Sequence, residues 1–305
     1  MKKRLLSAIL CALLLLGMMP AVTPAANMAA NGTWITVNRT EATVGDLLFW
    51  TLNVSPANGD YQTRIKVYTS GMLVYNGNFT SGLQHSYTPR IPGPTYAVAV
   101  VYDKKDGVEI SKRSIVTTVA PLPAPGIVSV SGINATSLRI TWNPVAGIDG
   151  YRIYYSTTPT GVYLYAGKTV GTSFAKTYLV AGTRYFFKVI GYNLHAGKIY
   201  DVTRMSAYKT GVPMGVATIG TIKASGKGRI TLTWARSAGA SGFEIYRSAT
   251  ATGAYAKIYT TTALSYTDTN LVKGRYYYYK ILPYRRIYTT NYFGPLSAYR
   301  YMKAL

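Results

Sequence analysis

The chain repeats itself. Trp142 closes the run Leu138-Arg-Ile-Thr-Trp, and Trp234 closes Ile230-Thr-Leu-Thr-Trp 92 residues later. The offset then holds along the chain. Gly150-Tyr151-Arg152-Ile153-Tyr154 answers Gly242-Phe243-Glu244-Ile245-Tyr246, and Gly161 and Tyr163 answer Gly253 and Tyr255. Leu179, Gly182, Tyr185, Phe187, Lys188 and Val189 answer Leu271, Gly274, Tyr277, Tyr279, Lys280 and Ile281. One residue is then lost, so that Ser206-Ala207-Tyr208 answers Ser297-Ala298-Tyr299. A period of this length means one folding unit used twice.

Each unit reads as β-structure. Its segments are short, rich in Val, Ile, Thr and Tyr, and alternate with period two between Gly, Pro, Ser and Asn turns. Tyr185, Phe187 and Val189 fall on one face of their segment, and Arg184, Phe186 and Lys188 on the other. About seven such strands in about 90 residues make a sandwich of two antiparallel sheets. Residues 30–120 lack the repeat motif but show the same all-β pattern, from Thr33-Trp-Ile-Thr-Val through Tyr96-Ala-Val-Ala-Val-Val-Tyr to Ile115-Val-Thr-Thr-Val. The expected fold is all-β: three consecutive antiparallel sandwich modules at 30–120, 122–213 and 214–305. Pro121-Leu-Pro-Ala-Pro and Gly211-Val-Pro-Met-Gly are short, stiff connections. Modules joined this way are expected to form a rod and to share little interface.

A strand ending in Trp, then Gly-Tyr-x-Ile-Tyr, then Leu-x-x-Gly-x-x-Tyr, then an alternating strand, then Ser-Ala resembles the bacterial form of the fibronectin type III domain. The resemblance covers 122–213 and 214–305, and residues 30–120 resemble a bacterial immunoglobulin-like domain. By position, it implies that Trp142 and Trp234 fill the two cores. Tyr185 and Tyr277 take the tyrosine-corner role, with the hydroxyl bonded to backbone near the preceding loop, and Leu179 and Leu271 pack beneath them. No Arg-Gly-Asp tripeptide occurs, so integrin-style adhesion gets no support.

The first residues point to export. Lys2, Lys3 and Arg4 precede an apolar run from Leu5 to Met19, and small residues follow to Ala26. This is the layout of a secretory signal peptide over 1–26, and the run is shorter than a bilayer span. The single cysteine, Cys11, lies inside it, so the mature chain has no thiol. A secreted chain stabilised without disulfides fits a bacterium better than an animal. No later segment reads as a membrane span. The expected location is extracellular, with retention at the wall by non-covalent contacts.

Chemistry for an enzyme is scarce. His85 and His195 lie in different modules, outside any metal-ligand spacing, and are read as exposed loop residues. Without cysteine there is no thiolate zinc site and no cysteine nucleophile. The repeats hold four acids, Asp149, Asp201, Glu244 and Asp268, with no pair placed for glycoside hydrolysis. Asp149 and Asp268 are read as turn caps. No catalytic residue, metal or cofactor is expected.

Positive charge beside tyrosine is the informative feature. Residues 27–120 carry eight basic and six acidic side chains, 121–213 nine and two, and 214–305 thirteen and two. Such a field draws polyanions and weakens with salt. Alternation in Tyr276-Tyr-Tyr-Tyr-Lys turns Tyr276, Tyr278 and Lys280 outward, beside Tyr246 on the neighbouring strand. The matching set in the first repeat is Arg152, Tyr154, Arg184, Phe186 and Lys188. A second candidate is the loop holding Arg285, Arg286, Tyr288 and Tyr292. Rings that stack on sugars and cations that meet phosphate or carboxylate would make these a binding surface. The bland reading is cross-strand ring pairing on the sheet and a solvated loop tip.

The expected function is therefore a secreted, non-catalytic binding or spacer protein held to anionic cell-wall polymer or glycan, or to another surface protein. Two rivals stand: an accessory or structural part of an extracellular polysaccharide-degrading system, and a structural surface rod without ligand. Nucleic acid would be met only non-specifically, and a monomer is expected.

Overall fold

In the central strands Leu48–Asn53, Tyr61–Thr69, Ser137–Trp142 and Arg229–Trp234 burial alternates along the chain, so one face of each packs into a core. The computed structural model describes residues 34–305 except 55–59, 106, 108 and 115; the signal segment read over 1–26 lies outside the described residues. The chain is all-β. It divides into two compact units between Pro121 and Leu122.

The first unit carries β1 (Trp34–Val37), β2 (Glu41–Thr43), β3 (Leu48–Asn53), β4 (Tyr61–Thr69), β5 (Met72–Asn76), β6 (Gln84–Tyr87), β7 (Gly93–Asp103), β8 (Glu109–Arg113) and β9 (Thr117–Ala120). One sheet runs β1-β3-β6; the other runs β2-β9-β7-β4-β5, with β8 also on β7. The pairings are antiparallel except β2 with β9, which is parallel. Leu48, Trp50 and Leu52 of β3, Ile65 and Val67 of β4, and Ala97, Ala99 and Val101 of β7 are all buried. The Trp50 indole donates to Ser114 Oγ at 3.2 Å, so this buried polar group is satisfied.

The second unit holds both repeats. The first repeat contains β10 (Ile127–Asn134), β11 (Ser137–Trp142), β12 (Gly150–Ser156), β13 (Leu164–Thr169), β14 (Ser173–Lys176), β15 (Tyr185–His195), β16 (Lys198–Asp201) and β17 (Lys209–Gly211). The second contains β18 (Ile219–Gly226), β19 (Arg229–Trp234), β20 (Gly242–Ser248), β21 (Ala256–Thr261), β22 (Ser265–Asp268), β23 (Tyr276–Ile287), β24 (Thr290–Phe293) and β25 (Arg300–Lys303). Their topologies are the same: β10-β11-β14 and β18-β19-β22 on one side, β13-β12-β15-β16 and β21-β20-β23-β24 on the other, with β17 and β25 pairing β15 and β23.

The repeat motifs have a physical cause. Trp142 lies edge-on to Tyr151 at 5.3 Å, and Trp234 edge-on to Phe243 at 5.6 Å, each in the middle of its core. Leu179 and Leu271 are buried beside them. The Tyr185 hydroxyl accepts from Val180 N, and the Tyr277 hydroxyl from Val272 N, both at 3.0 Å, pinning the turn before the strand. Gly150 and Gly242 suit their places because a Cβ there would meet the backbone carbonyls of Thr169 and Thr261, both at 2.9 Å, as well as the hydroxyls of Tyr192 and Tyr284.

The repeats do share an interface, contrary to the expectation from their short connection. The Tyr292 hydroxyl of the second repeat lies 3.2 Å from Thr210 Oγ1 of the first. The turns at Gly182 and Gly239 lie so close that a Cβ on Gly239 would meet Gly182 N at 2.5 Å. Two backbones approach where neither residue has a side chain, which a stiff connection alone does not reveal.

Candidate functional site

The outward face of the β21-β20-β23 sheet in the second repeat carries most of the predicted site. Antiparallel register sets Lys280 opposite Tyr246, Tyr278 opposite Tyr301, and Tyr276 opposite Lys303. Residues directly opposite on one face touch. Tyr276 and Tyr301 meet edge-on at 6.0 Å, Tyr301 stacks on Tyr278 at 5.3 Å, and Tyr278 meets Tyr299 edge-on at 5.6 Å. The four rings thus form a chain along β23 and β25. Tyr276 is 49% and Tyr301 53% exposed, so the outer edge of the chain is open. A groove of about 940 Å³ runs beside it, lined by Tyr276, Lys280, Tyr299, Tyr301 and Lys303 among others.

Cations sit at both ends. Lys280 Nζ lies 4.4 Å from the Tyr255 ring centre, and Lys303 Nζ 5.8 Å from that of Tyr276. Neither lysine has a carboxylate within ion-pair distance among the described residues. Tyr246 is less available than its position predicts. Its hydroxyl donates to Glu244 Oε2 at 2.8 Å, and Glu244 also takes Lys257 Nζ at 3.1 Å. Burial first, then that hydrogen bond, pushes the Tyr246 phenol up to about 12.

The loop set separates. Arg285, Arg286, Tyr288 and Tyr292 belong to the β23–β24 hairpin, where Arg285 faces Tyr292 in register. Tyr292 turns back to the first repeat, its hydroxyl 3.2 Å from Thr210 Oγ1. Among the described residues Arg285 Nε is enclosed without a hydrogen-bond partner. Arg286 and Tyr288 remain exposed. The hairpin is therefore only in part a solvated tip, because it packs on the neighbouring repeat.

Of the matching set in the first repeat, Phe186 is not a surface ring. It is 3% exposed, covered by Tyr208 at 5.1 Å edge-on and by the Arg184 guanidinium at 4.9 Å. Arg152 is spent on an ion pair with Asp201. Lys188 lies 4.4 Å over Tyr163, as Lys280 lies over Tyr255.

The acids of the repeats are engaged. Asp149 Oδ2 accepts from Leu194 N at 2.7 Å, across the sheet rather than within its own turn. Asp268 is buried and caps nothing. It accepts from Arg247 Nη1 at 3.0 Å and from the Tyr279 hydroxyl at 2.8 Å, which together with burial raises the Tyr279 phenol. His85, read as a loop residue, lies half-buried in β6 with Nε2 2.9 Å from Thr63 Oγ1. Among the described residues no group of three or more His, Cys, Asp and Glu side chains is placed to hold a metal.

Sequence reasoning missed Tyr255, Tyr299, Tyr301 and Lys303. The signal was present: Tyr299, Tyr301 and Lys303 alternate with period two, and Tyr255 repeats Tyr163 at the 92-residue offset.

The family match agrees with the fold of the first repeat. Residues 123–200 match the fibronectin type III domain. With the same topology in the second repeat, the chain carries tandem fibronectin type III-like domains. Exoglucanase B of Cellulomonas fimi is 25% identical over 278 residues, 80% of this chain and 23% of the exoglucanase. Amylopullulanase of Thermoanaerobacterium saccharolyticum is 41% identical over 61 residues, 20% of this chain and 5% of that protein. The chain thus spans less than a quarter of either relative. The solved FN1–FN3 domains of chicken CNTN1 align over 90% of this chain and 99% of their own, at 16% identity and a TM-score of 0.35. Among the described residues no helix is long and apolar enough to cross a membrane.

Proposed function

We propose that the chain is a secreted, non-catalytic accessory protein of a glycan-degrading or glycan-rich extracellular system, held to anionic polymer by the outward face of residues 214–305. The observation that carries the reading is the ring chain Tyr276–Tyr301–Tyr278–Tyr299, open on one side and flanked by Lys280 and Lys303, neither of them in an ion pair among the described residues. Stacked rings give a platform for sugar faces, and unpaired ammonium groups give donors for phosphate or carboxylate. The excess of thirteen basic over two acidic side chains in this repeat draws such polymers in. The names of the two relatives, an exoglucanase and an amylopullulanase, favour a role beside glycan-degrading enzymes. The acids of the repeats are each occupied by an internal donor, which favours the non-catalytic reading.

A second reading rests on the same rings: they touch one another, so they also serve as cross-strand sheet contacts. Replacing Tyr276 and Tyr278 with Ser separates the two. Charge is kept, and the Tyr277 and Tyr279 positions are untouched. Binding of the mature chain to purified anionic envelope polymer is expected to fall by about 1–3 kcal/mol per lost ring contact. It should also weaken as salt rises from about 50 to 500 mM, where screening shortens from roughly 14 to 4 Å. A folded double mutant that binds like the parent leaves the rings as sheet structure alone.

A further inference from the structure

The β23–β24 hairpin contains a residue whose choice the fold does not explain. Ile287 pairs with Thr290, so the chain reverses through Tyr288 and Thr289. Tyr288 sits at φ 52, the left-handed region that a side chain with a Cβ rarely adopts. The first repeat makes the same reversal through Ala196 and Gly197, with Ala196 at φ 48, so the left-handed backbone belongs to the turn and the large ring is what sets Tyr288 apart. A bulky ring in a strained turn would be expected to gain burial in return, yet Tyr288 is 85% exposed. A large ring held in a left-handed turn and left in solvent, where the first repeat uses alanine, is the feature that points to function.

The surroundings say what that function recognises. The Arg184 guanidinium of the first repeat lies 5.9 Å from the Tyr288 ring centre and rests on Phe186 at 4.9 Å. Arg286 Nε donates to the backbone carbonyl of Tyr288 at 3.3 Å. Neither arginine has a carboxylate partner among the described residues. Their relative placement is held by the inter-repeat contacts, above all the Tyr292 hydroxyl on Thr210 Oγ1 at 3.2 Å. A second group of donors and an open ring is thus fixed in advance, which lowers the ordering cost of binding.

We propose that the junction of the two repeats is a second binding site, assembled from Arg184, Tyr288 and Arg286, for an anionic sugar unit of a polysaccharide. The guanidinium forks suit carboxylate or phosphate, which they bind with two parallel hydrogen bonds. The exposed phenol ring suits the C–H face of a pyranose. The proposal rests on the polymer-binding reading above, but it uses no residue of the β23–β25 ring chain.

The test uses the mature full chain with three probes: polygalacturonate for carboxylate, purified wall teichoic acid for phosphate, and dextran as a neutral control. Tyr288→Gly removes the ring and relieves the backbone, so its melting temperature should stay level or rise. Its affinity for at least one anionic polymer should fall roughly tenfold, the scale of one lost stacking contact. Arg184→Gln should weaken the same probe without affecting dextran, and it keeps the proposal testable if Tyr288→Gly folds poorly. Unchanged affinity in both folded variants overturns the junction site. If the Tyr276→Ser and Tyr278→Ser double mutant then loses binding, the sheet face stands alone. Loss in the junction variants with an unaffected double mutant supports the junction and removes the sheet face instead. A parent chain that binds dextran as tightly as the anionic polymers, or binds no polymer, overturns the anionic site.

Discussion

Lys280 Nζ lies 4.4 Å from the centre of the Tyr255 ring. The pair recurs in the first repeat, where Lys188 lies 4.4 Å over Tyr163. What differs is the company. Beside Lys280 stand Tyr276, Tyr278, Tyr299 and Tyr301, whereas the matching positions beside Lys188 are Arg184, Phe186, Tyr208 and Thr210. Two lysines in one geometry therefore allow the proposed ligand role of Lys280 to be separated from the ring contact that both make.

Lys188→Met and Lys280→Met should each cost at most about 1 kcal/mol in a urea titration, the scale of an exposed cation–π contact. Only Lys280→Met should also weaken binding to anionic polymer and flatten its salt dependence. Equal losses of affinity in both variants would assign the effect to net charge.

Asp268 gives the second prediction. It is buried between Arg247 and Tyr279, and Asp268→Asn leaves the guanidinium facing a neutral acceptor. Breaking a buried pair is expensive, but Arg247 reaches solvent, so the expected loss is about 2 kcal/mol. The corresponding residues of the first repeat are Lys176, Tyr155 and Phe187, and Lys176 Nζ lies 4.8 Å over the Tyr155 ring. Lys176→Met should therefore cost less than Asp268→Asn in chemical denaturation.

This substitution of one set for another shows what the sequence conceals. The cores were legible because Trp142, Trp234, Phe187 and Tyr279 sit at inward positions of alternating strands, and burial follows alternation. The exceptions depend on partners distant in the chain. Phe186 alternates outward yet is buried, because Tyr208 and Arg184 close over it. Asp268 stands at a strand end like a turn cap, yet its donors come from residues 247 and 279. In the candidate site, Tyr276, Tyr278 and Lys280 could be read from alternation. Their contact with Tyr299 and Tyr301 needs the pairing of β23 with β25.

Burial holds the His85 imidazole below its ordinary range. The unfolded chain then takes up a proton at a higher pH than the fold does, so the first unit should lose stability as pH falls below about 6.5. The loss continues until the folded imidazole itself titrates. Thermal melts between about pH 7.5 and 5 should show this slope in the parent, and His85→Gln should flatten it. An equal slope in both would assign the acid sensitivity to other groups.

The interface between the repeats can be tested with two glycines that the sequence does not distinguish. Gly182 and Gly274 occupy the same turn of their repeats, at φ +78 and +83, so alanine imposes the same backbone strain at both. Their surroundings differ. A Cβ on Gly274 meets nothing within 4 Å, whereas one on Gly182 meets Gly239 Cα at 3.1 Å and its carbonyl oxygen at 3.2 Å. Gly274→Ala should cost about 1–2 kcal/mol, from strain alone. Gly182→Ala should cost more, and Gly239→Ala most, since its Cβ would meet Gly182 N at 2.5 Å and Pro213 O at 3.0 Å. The shape of the transition is the sharper readout. If the interface couples the repeats, the parent should unfold residues 122–305 in one calorimetric step, and Gly239→Ala should split that step in two while Gly274→Ala leaves it single. A parent that already melts its repeats separately, or a Gly239→Ala variant that keeps one step, would mean that the close approach does not couple them. The junction site formed by Arg184 and Tyr288 would then lose its rigid support.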